Sequence, residues 1–136
     1  MITAIDTSVL LDIFADDPTF RDRSLAAVRV SLASGTLVAC EVVWSEVTAA
    51  FPDARSAEAA LLGIAVTYSP LDAASASRAG VTWRAYRKRG GPRGRLIADF
   101  LVGAHAIEQA DRLLTRDRGF QRAAFARLAI VDPSRD

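Results

Sequence analysis

The sequence predicts an α/β protein with three α/β/α layers, in which helices cover both faces of a central, largely parallel sheet. Two observations predict this class. Short apolar runs typical of buried strands alternate with longer segments whose apolar residues recur at helical spacing. Strands separated by helices favour parallel pairing under helices on both faces. The strand-like runs are 2–5, 37–40, 66–68, 112–115 and 128–131.

The first strand-like run ends at an acid, Asp6, and two hydroxyl residues, Thr7 and Ser8, follow it. Hydroxyl oxygens accept the free N–H groups of a first helical turn, so we expect a helix to begin here with Ser8 as its cap. Asp6 then lies at the carboxyl end of a strand, where sites form in open α/β sheets. Asp12 lies six residues further on, and we expect it to face elsewhere or to line the rim.

Helical spacing predicts the remaining helices in order. One helix ends at Gly35, a second spans Glu41 to Phe51 before a proline, and a third starts at Asp53. A fourth is capped by Asp72, and a basic, Gly- and Pro-rich loop over 87–95 precedes the fifth. The apolar stripe of this last helix is Ile97, Phe100, Leu101, Ala104 and Ile107.

Length and composition exclude several classes of protein. A length of 136 residues indicates one domain over 1–136, and 51% hydrophobic residues exclude a disordered chain. No apolar run is long enough to span a bilayer, and the first residues lack the pattern of a signal peptide. A single cysteine, Cys40, forms no internal disulfide and is expected in the core. We therefore predict a cytoplasmic protein without a membrane partner.

Four acids occur where the predicted elements would bring them together. Asp6 and Asp117 follow strands, whereas Glu46 and Asp99 lie in the early turns of helices. Any one of these acids alone would more often only cap a helix. Together they predict an acidic cluster at one sheet edge. Clustered carboxylates repel one another, and Mg²⁺ or Mn²⁺, which prefer oxygen ligands, offset that repulsion.

Helix geometry excludes two other candidate residues, and several known motifs are absent from the sequence. Glu41 lies five residues before Glu46, which places the two about 140° apart on a helix, so both cannot point into one site. His105 lies about 120° around the helix from Asp99 and receives no role. The sequence has no cluster of His and Cys for zinc, no phosphate-binding P-loop and no G-x-S-x-G nucleophile motif.

Four segments resemble the characteristic blocks of PIN domains, and most of all those of the VapC toxins of bacterial toxin–antitoxin pairs. They occur in the family's order and spacing, and the resemblance covers essentially the whole chain. The third is the most distinctive. The segments are 5–10 (IDTSVL), 44–47 (WSEV), 99–106 (DFLVGAHA) and 114–120 (LTRDRGF).

The resemblance implies a five-stranded parallel sheet and a Mg²⁺- or Mn²⁺-dependent endoribonuclease. Such a protein would be the toxin of its pair and would hydrolyse phosphodiester bonds in structured RNA, for example in loops of transfer or ribosomal RNA. The partners implied are a VapB-like antitoxin, the RNA substrate and a second copy of the chain in a homodimer.

The resemblance also implies roles for individual residues. Asp6 and Asp99 would be the main metal ligands, and Asp117 would be a third. Glu46 would complete the catalytic set directly or through water, with one acid orienting or deprotonating the attacking water. The residues with supporting hydroxyl groups would be Thr7, Ser8 and Thr115.

Basic residues beside the acids suit a phosphate-binding surface. Arg93 and Arg95 precede Asp99 in the sequence, and Arg116 and Arg118 flank Asp117. Cationic groups at such places would contact an RNA backbone. The alternative is a solvated loop rim. All basic residues except one lysine are arginine, which suits bidentate phosphate contacts but also follows from a GC-rich genome.

A second hypothesis comes from a different functional class. The protein would be a non-catalytic RNA-binding or protein-interaction module in which the acids only cap helices. This hypothesis predicts no stabilisation by divalent metal, whereas the nuclease hypothesis predicts it.

Overall fold

The computed structural model describes residues 1–90, 96–117 and 119–135. Within these ranges five strands form one sheet in the order β3-β2-β1-β4-β5, and every neighbouring pair is parallel. The predicted α/β class with a parallel sheet is confirmed. The strands are β1 (Ile2–Ile5), β2 (Thr36–Ala39), β3 (Val66–Tyr68), β4 (Arg112–Leu114) and β5 (Ile130–Val131).

Helices connect the strands, and each predicted helix is present. Asp72 caps its helix as predicted, and Asp53 is the cap of the helix predicted to start there, since each carboxylate accepts the N–H of the residue three positions on. None of the helices in the described ranges is long and apolar enough to cross a membrane. The helices are α1 (Thr7–Phe14), α2 (Arg21–Ser34), α3 (Glu41–Ala49), α4 (Ala54–Gly63), α5 (Ala73–Lys88), α6 (Leu96–Gln109) and α7 (Phe120–Ala124).

The burial pattern of the central strand shows that both faces of the sheet are covered. Thr3, Ala4 and Ile5 follow one another in β1 and all three are buried. Successive residues of a strand point to opposite faces, so packed layers must lie above and below. The free thiol of Cys40, at the end of β2, is buried in this core as the sequence predicts.

Aromatic contacts show which face of α6 points into the core. Phe100 is fully buried and makes edge-to-face contacts with Tyr86, Phe120 and Phe125, at ring-centre distances of 5.3, 5.1 and 6.3 Å. Because Phe100 points inward, the preceding residue, Asp99, lies about 100° away around the helix. Its side chain is partly exposed at the carboxyl edge of the sheet.

Gly35 allows the backbone before β2 to lie close to the backbone of Met1, at the amino edge of the sheet. A Cβ atom at this position would lie 1.8 Å from the carbonyl oxygen of Met1, which accepts the backbone N–H of Thr36 at 3.0 Å. Only glycine leaves space for that contact. The residue therefore ends α2, as predicted, and also lets β2 begin directly beside β1.

Candidate active site

Asp6 is fixed at the point where β1 ends and α1 begins. Its backbone N–H donates to the carbonyl of Leu114 in β4 at 2.9 Å. Its carboxylate accepts the Thr7 N–H at 2.8 Å and the Thr115 hydroxyl at 2.7 Å. Asp6 is therefore itself the N-cap of α1, and the prediction that Ser8 caps this helix is wrong. The Ser8 hydroxyl instead points to the Asp6 carboxylate, 3.5 Å away.

The environment of Asp6 acts on its pKa in opposite directions. Burial raises the pKa most strongly, and the nearby Glu46 and Asp117 carboxylates add to the increase. The hydrogen bonds from Thr115 and Thr7 stabilise the carboxylate and lower the pKa. The net shift is upward, because two hydrogen bonds do not offset burial beside two further acids.

Glu46 reaches the same edge from α3. Its Oε1 accepts the Thr7 hydroxyl at 2.8 Å, so Thr7 joins the beginning of α1 to the middle of α3. Glu41, five residues earlier, instead accepts the backbone N–H of Leu71 at 2.9 Å. The two glutamates therefore diverge around α3, as their spacing predicts.

Asp117 is held by the turn after β4. Its Oδ2 accepts the backbone N–H groups of Gly119 at 3.1 Å and Gln121 at 2.8 Å. Its own N–H donates to the Thr115 hydroxyl at 3.0 Å, and that hydroxyl donates to Asp6. Thr115 therefore links the two strand-end acids through one oxygen atom.

Asp99 completes the acidic set from the first turn of α6. Partial burial of its carboxyl group raises the pKa to about 6, and Asp6, Asp117 and Glu46 contribute to the increase in that order. The structure thus brings all four predicted acids close enough for their charges to interact, although they come from four separate segments. We call Asp6, Glu46, Asp99 and Asp117 the acidic cluster.

The chemistry of the acidic cluster fits a hard divalent cation. All four ligand candidates are carboxylates, and the upward pKa shifts of Asp6 and Asp99 show that their negative charges are incompletely compensated. As placed, no three Asp, Glu, His or Cys side chains in the described ranges form a ready coordination group. Cation binding would therefore draw the carboxylates inward, with Asp6, Asp99 and Asp117 as the residues that would hold the ion.

Comparisons with known proteins agree with this architecture. The sequence profile described as PIN domain matches residues 3–126. The chain belongs to the PIN domain family. No curated protein sequence matches it significantly.

Solved structures with the same fold include chains of three complexes. VapBC2 from Rickettsia felis, bound to a DNA fragment from its promoter, is 19% identical with a TM-score of 0.74 over 97% of this chain and 98% of that one. VapBC-1 from nontypeable Haemophilus influenzae is 17% identical with a TM-score of 0.72, over 99% and 100%. A toxin–antitoxin complex from Klebsiella pneumoniae is 17% identical with a TM-score of 0.67, over 96% and 97%.

In this PIN domain Asp12 does not lie on the rim, so that part of the prediction is wrong. Asp12 is 2% exposed and binds Arg116 in bidentate fashion, with Nε at 2.6 Å and Nη2 at 2.8 Å. The Ser24 hydroxyl donates to the same carboxylate at 2.8 Å. The signal that sequence reasoning missed is the position of Asp12 within an apolar helix, which favours a buried ion pair.

Of the four arginines predicted to contact phosphate, the structure describes Arg116. The Arg116 guanidinium binds Asp12 and stacks on the Phe20 ring at 4.1 Å, which argues against the predicted phosphate contact. The remaining candidates, Arg93, Arg95 and Arg118, lie outside the described residues.

His105 and Gln121 are among the buried polar side chains of the PIN domain. His105 lies away from the acidic cluster, where Nε2 is 3.1 Å from the Ser69 hydroxyl and burial lowers the pKa. Gln121 donates from Nε2 to the carbonyl oxygen of Asp99 at 2.8 Å. Sequence reasoning missed Gln121, because no local pattern shows that a glutamine in α7 meets the first turn of α6.

Proposed function

We propose that this PIN domain is a Mg²⁺- or Mn²⁺-dependent endoribonuclease and the toxin of a VapC-type toxin–antitoxin pair. The observation that supports the proposal is the acidic cluster. Its carboxylates come from four different segments, and burial together with the neighbouring acids raises the pKa of Asp6 and of Asp99, which is unfavourable for the metal-free fold. A bound divalent cation would remove that penalty.

The residues of the acidic cluster would have different roles in phosphodiester hydrolysis. When bound, the cation would lower the pKa of a water molecule and offset negative charge on the phosphate. Asp6, Asp99 and Asp117 would hold the cation. The Thr115 hydroxyl fixes Asp6 relative to Asp117, because it donates to the Asp6 carboxylate and accepts the Asp117 N–H. Glu46 is not among the proposed ion ligands and is oriented by the Thr7 hydroxyl, so it would accept a proton from the attacking water.

The partners proposed are a VapB-like antitoxin, structured RNA and a second copy of the chain. Support comes from the fold neighbours, which are chains of VapBC and toxin–antitoxin complexes. We also propose that residues 1–136 form one domain and that the protein acts in the cytoplasm.

Conservative substitution of the acids tests the proposal. Asp6→Asn and Asp99→Asn should abolish Mn²⁺-dependent RNA cleavage by purified protein while the far-UV circular dichroism stays unchanged. Asp53→Asn is the matched control, because Asp53 is also an N-cap aspartate, of α4, and Asn is an equally good cap. Cleavage at the wild-type rate by either cluster variant would contradict the proposal.

One observation favours the alternative of a non-catalytic binding module. Asp6 caps α1, and Asp117 accepts two backbone N–H groups, so both acids have roles in the fold itself. A Mn²⁺ titration followed by melting temperature separates the two hypotheses. The nuclease should be stabilised by Mn²⁺, and Asp99→Asn should reduce that stabilisation. A binding module should show no shift in either protein.

A further inference from the structure

Gln121 contacts both sides of the acidic cluster. Its side-chain Nε2 donates to the Asp99 carbonyl at 2.8 Å, and its backbone N–H donates to the Asp117 carboxylate at 2.8 Å. The residue is only 2% exposed. A single residue therefore joins the first turn of α6 to the turn that carries Asp117.

The space for this amide depends on a glycine in α6. A Cβ atom at Gly103 would lie 2.2 Å from Gln121 Oε1 and 2.4 Å from the Phe125 ring. In a helix the carbonyl oxygen of Asp99 already accepts the backbone N–H of Gly103. The Gln121 side-chain amide therefore donates to an oxygen that also accepts from Gly103. Gly103 thus lets the Gln121 side chain lie directly against the helix backbone.

The placement of Gln121 is unfavourable if its only task is to fill space. Its Oε1 is buried and has no hydrogen-bond partner among the residues that the structure describes. A buried polar atom without a partner is destabilising, and a methionine of similar shape would avoid that cost. The feature that methionine lacks is the Nε2 donor, which is the atom bound to Asp99.

Aromatic packing alone does not fix the register between α6 and α7. The rings of Phe100 and Phe120 meet edge to face at 5.1 Å, a contact that tolerates small sliding movements. A hydrogen bond to one backbone carbonyl is directional and permits little sliding.

We propose that Gln121 is a positioning residue that sets the distance between Asp99 and Asp117. This inference rests on the proposed metal-dependent nuclease function and adds to it a residue that supports the ligands. Groups that orient metal ligands without touching the metal typically change metal affinity about 10- to 100-fold when they are removed.

The test compares Gln121→Met with Gln109→Met. Gln109 is the matched control because it also links α6 to a neighbouring segment, donating to the Pro70 carbonyl and accepting from Asp72 N–H and the Ser75 hydroxyl. It lies ten residues after Asp99, about 15 Å along the helix. Gln121→Met should raise the Mn²⁺ concentration for half-maximal cleavage at least about tenfold, whereas Gln109→Met should leave it near the wild-type value.

A metal-free measurement separates this inference from the proposed function. Hydrogen exchange of the backbone amides of Gly119 and residue 121 should be faster in Gln121→Met than in Gln109→Met, because both amides bind the Asp117 carboxylate. Where Gln121→Met fails to fold, Gln121→Glu serves as the second variant. It keeps the shape, and its carboxylate cannot donate to Asp99.

The outcomes are distinct. An unchanged Mn²⁺ requirement, or unchanged exchange of the two amides, would overturn the positioning role. If the wild-type protein cleaves no RNA with Mn²⁺, the proposed function fails, and the exchange comparison still decides whether Gln121 holds the Asp117 turn in place.

Discussion

Replacing Asp12 with asparagine tests whether the Asp12–Arg116 pair is structural. The Asp12 carboxylate accepts three hydrogen bonds, two from Arg116 and one from Ser24. Asparagine has nearly the same volume but only one acceptor oxygen, so its NH₂ group must face at least one of these donors. The arginine then keeps its charge but loses the carboxylate that binds it in bidentate fashion.

The magnitude follows from the bonds that are lost and from the exposure of Arg116. A hydrogen bond to a charged group contributes about 1.5–3 kcal/mol, and breaking a buried ion pair costs about 3–5 kcal/mol. The Arg116 side chain is 24% exposed, so water recovers part of that loss. We expect Asp12→Asn to lower the free energy of unfolding by about 2 kcal/mol, which corresponds to roughly 8 °C in melting temperature for a chain of this size.

The assay is urea unfolding followed by circular dichroism, with Glu108→Gln as the control. Glu108 pairs with Arg78 at the surface, where loss of an ion pair costs about 1 kcal/mol or less. If Asp12→Asn and Glu108→Gln agree within about 0.5 kcal/mol, the reasoning from burial is refuted.

The double variant Asp12→Leu/Arg116→Met extends this test to function. Replacing a whole buried ion pair with apolar residues is often nearly neutral for stability. We expect the double variant to recover most of the lost stability and to keep RNA cleavage, since Arg116 binds Asp12 rather than phosphate. A stable double variant without cleavage would show that Arg116 has a further role toward RNA.

The site and its supporting residues also predict the effects of pH and of two glycine substitutions. Asp99 has a pKa near 6, above its unfolded value, so the folded metal-free protein binds the extra proton and should lose stability as pH rises from 4 through 6. Melting temperatures should show this loss, and Mn²⁺ should therefore stabilise more at pH 7.5 than at pH 5. Gly103→Ala should destabilise by about 1–3 kcal/mol because its Cβ would overlap Gln121 and Phe125. Gly80→Ala, in α5 with nothing within 4 Å of the added Cβ, should instead stabilise by about 0.4–1 kcal/mol in the same urea experiment.

The strands and helices could be predicted because their signals are local. The run Val66–Tyr68 has the same bounds in sequence and structure, and Asp53 and Asp72 cap the predicted helices. The four acids could be predicted to lie at one edge of the sheet, because the carboxyl ends of parallel strands lie along the same edge. The order of strands and helices along the chain is enough to assign these acids to that edge, without knowledge of side-chain contacts.

The incorrect predictions concern the hydrogen-bond partners of two side chains near the beginning of the chain. Ser8 has good capping chemistry, but Asp6 binds the Thr7 N–H first and leaves the hydroxyl to face the acid. Asp12 is buried because Arg116, 104 residues away in sequence, meets it. The Asp12–Arg116 contact depends on β1 pairing with β4, which no local pattern shows. The cap of α1 is a choice between neighbouring side chains, and capping preference alone ranks Asp6 and Ser8 about equally.

The pairing of β1 with β4 also sets the order in which the acidic cluster forms as the chain is synthesised. The bond between Asp6 and Thr115 joins residues 109 positions apart. A chain growing from its amino end can pair β1 with β2 early, but Asp6 acquires its Thr115 and Asp117 neighbours only after nearly the whole domain has left the ribosome. The incomplete nascent chain is therefore without its acidic cluster, and any activity that needs the cluster begins only when synthesis of the domain is almost finished.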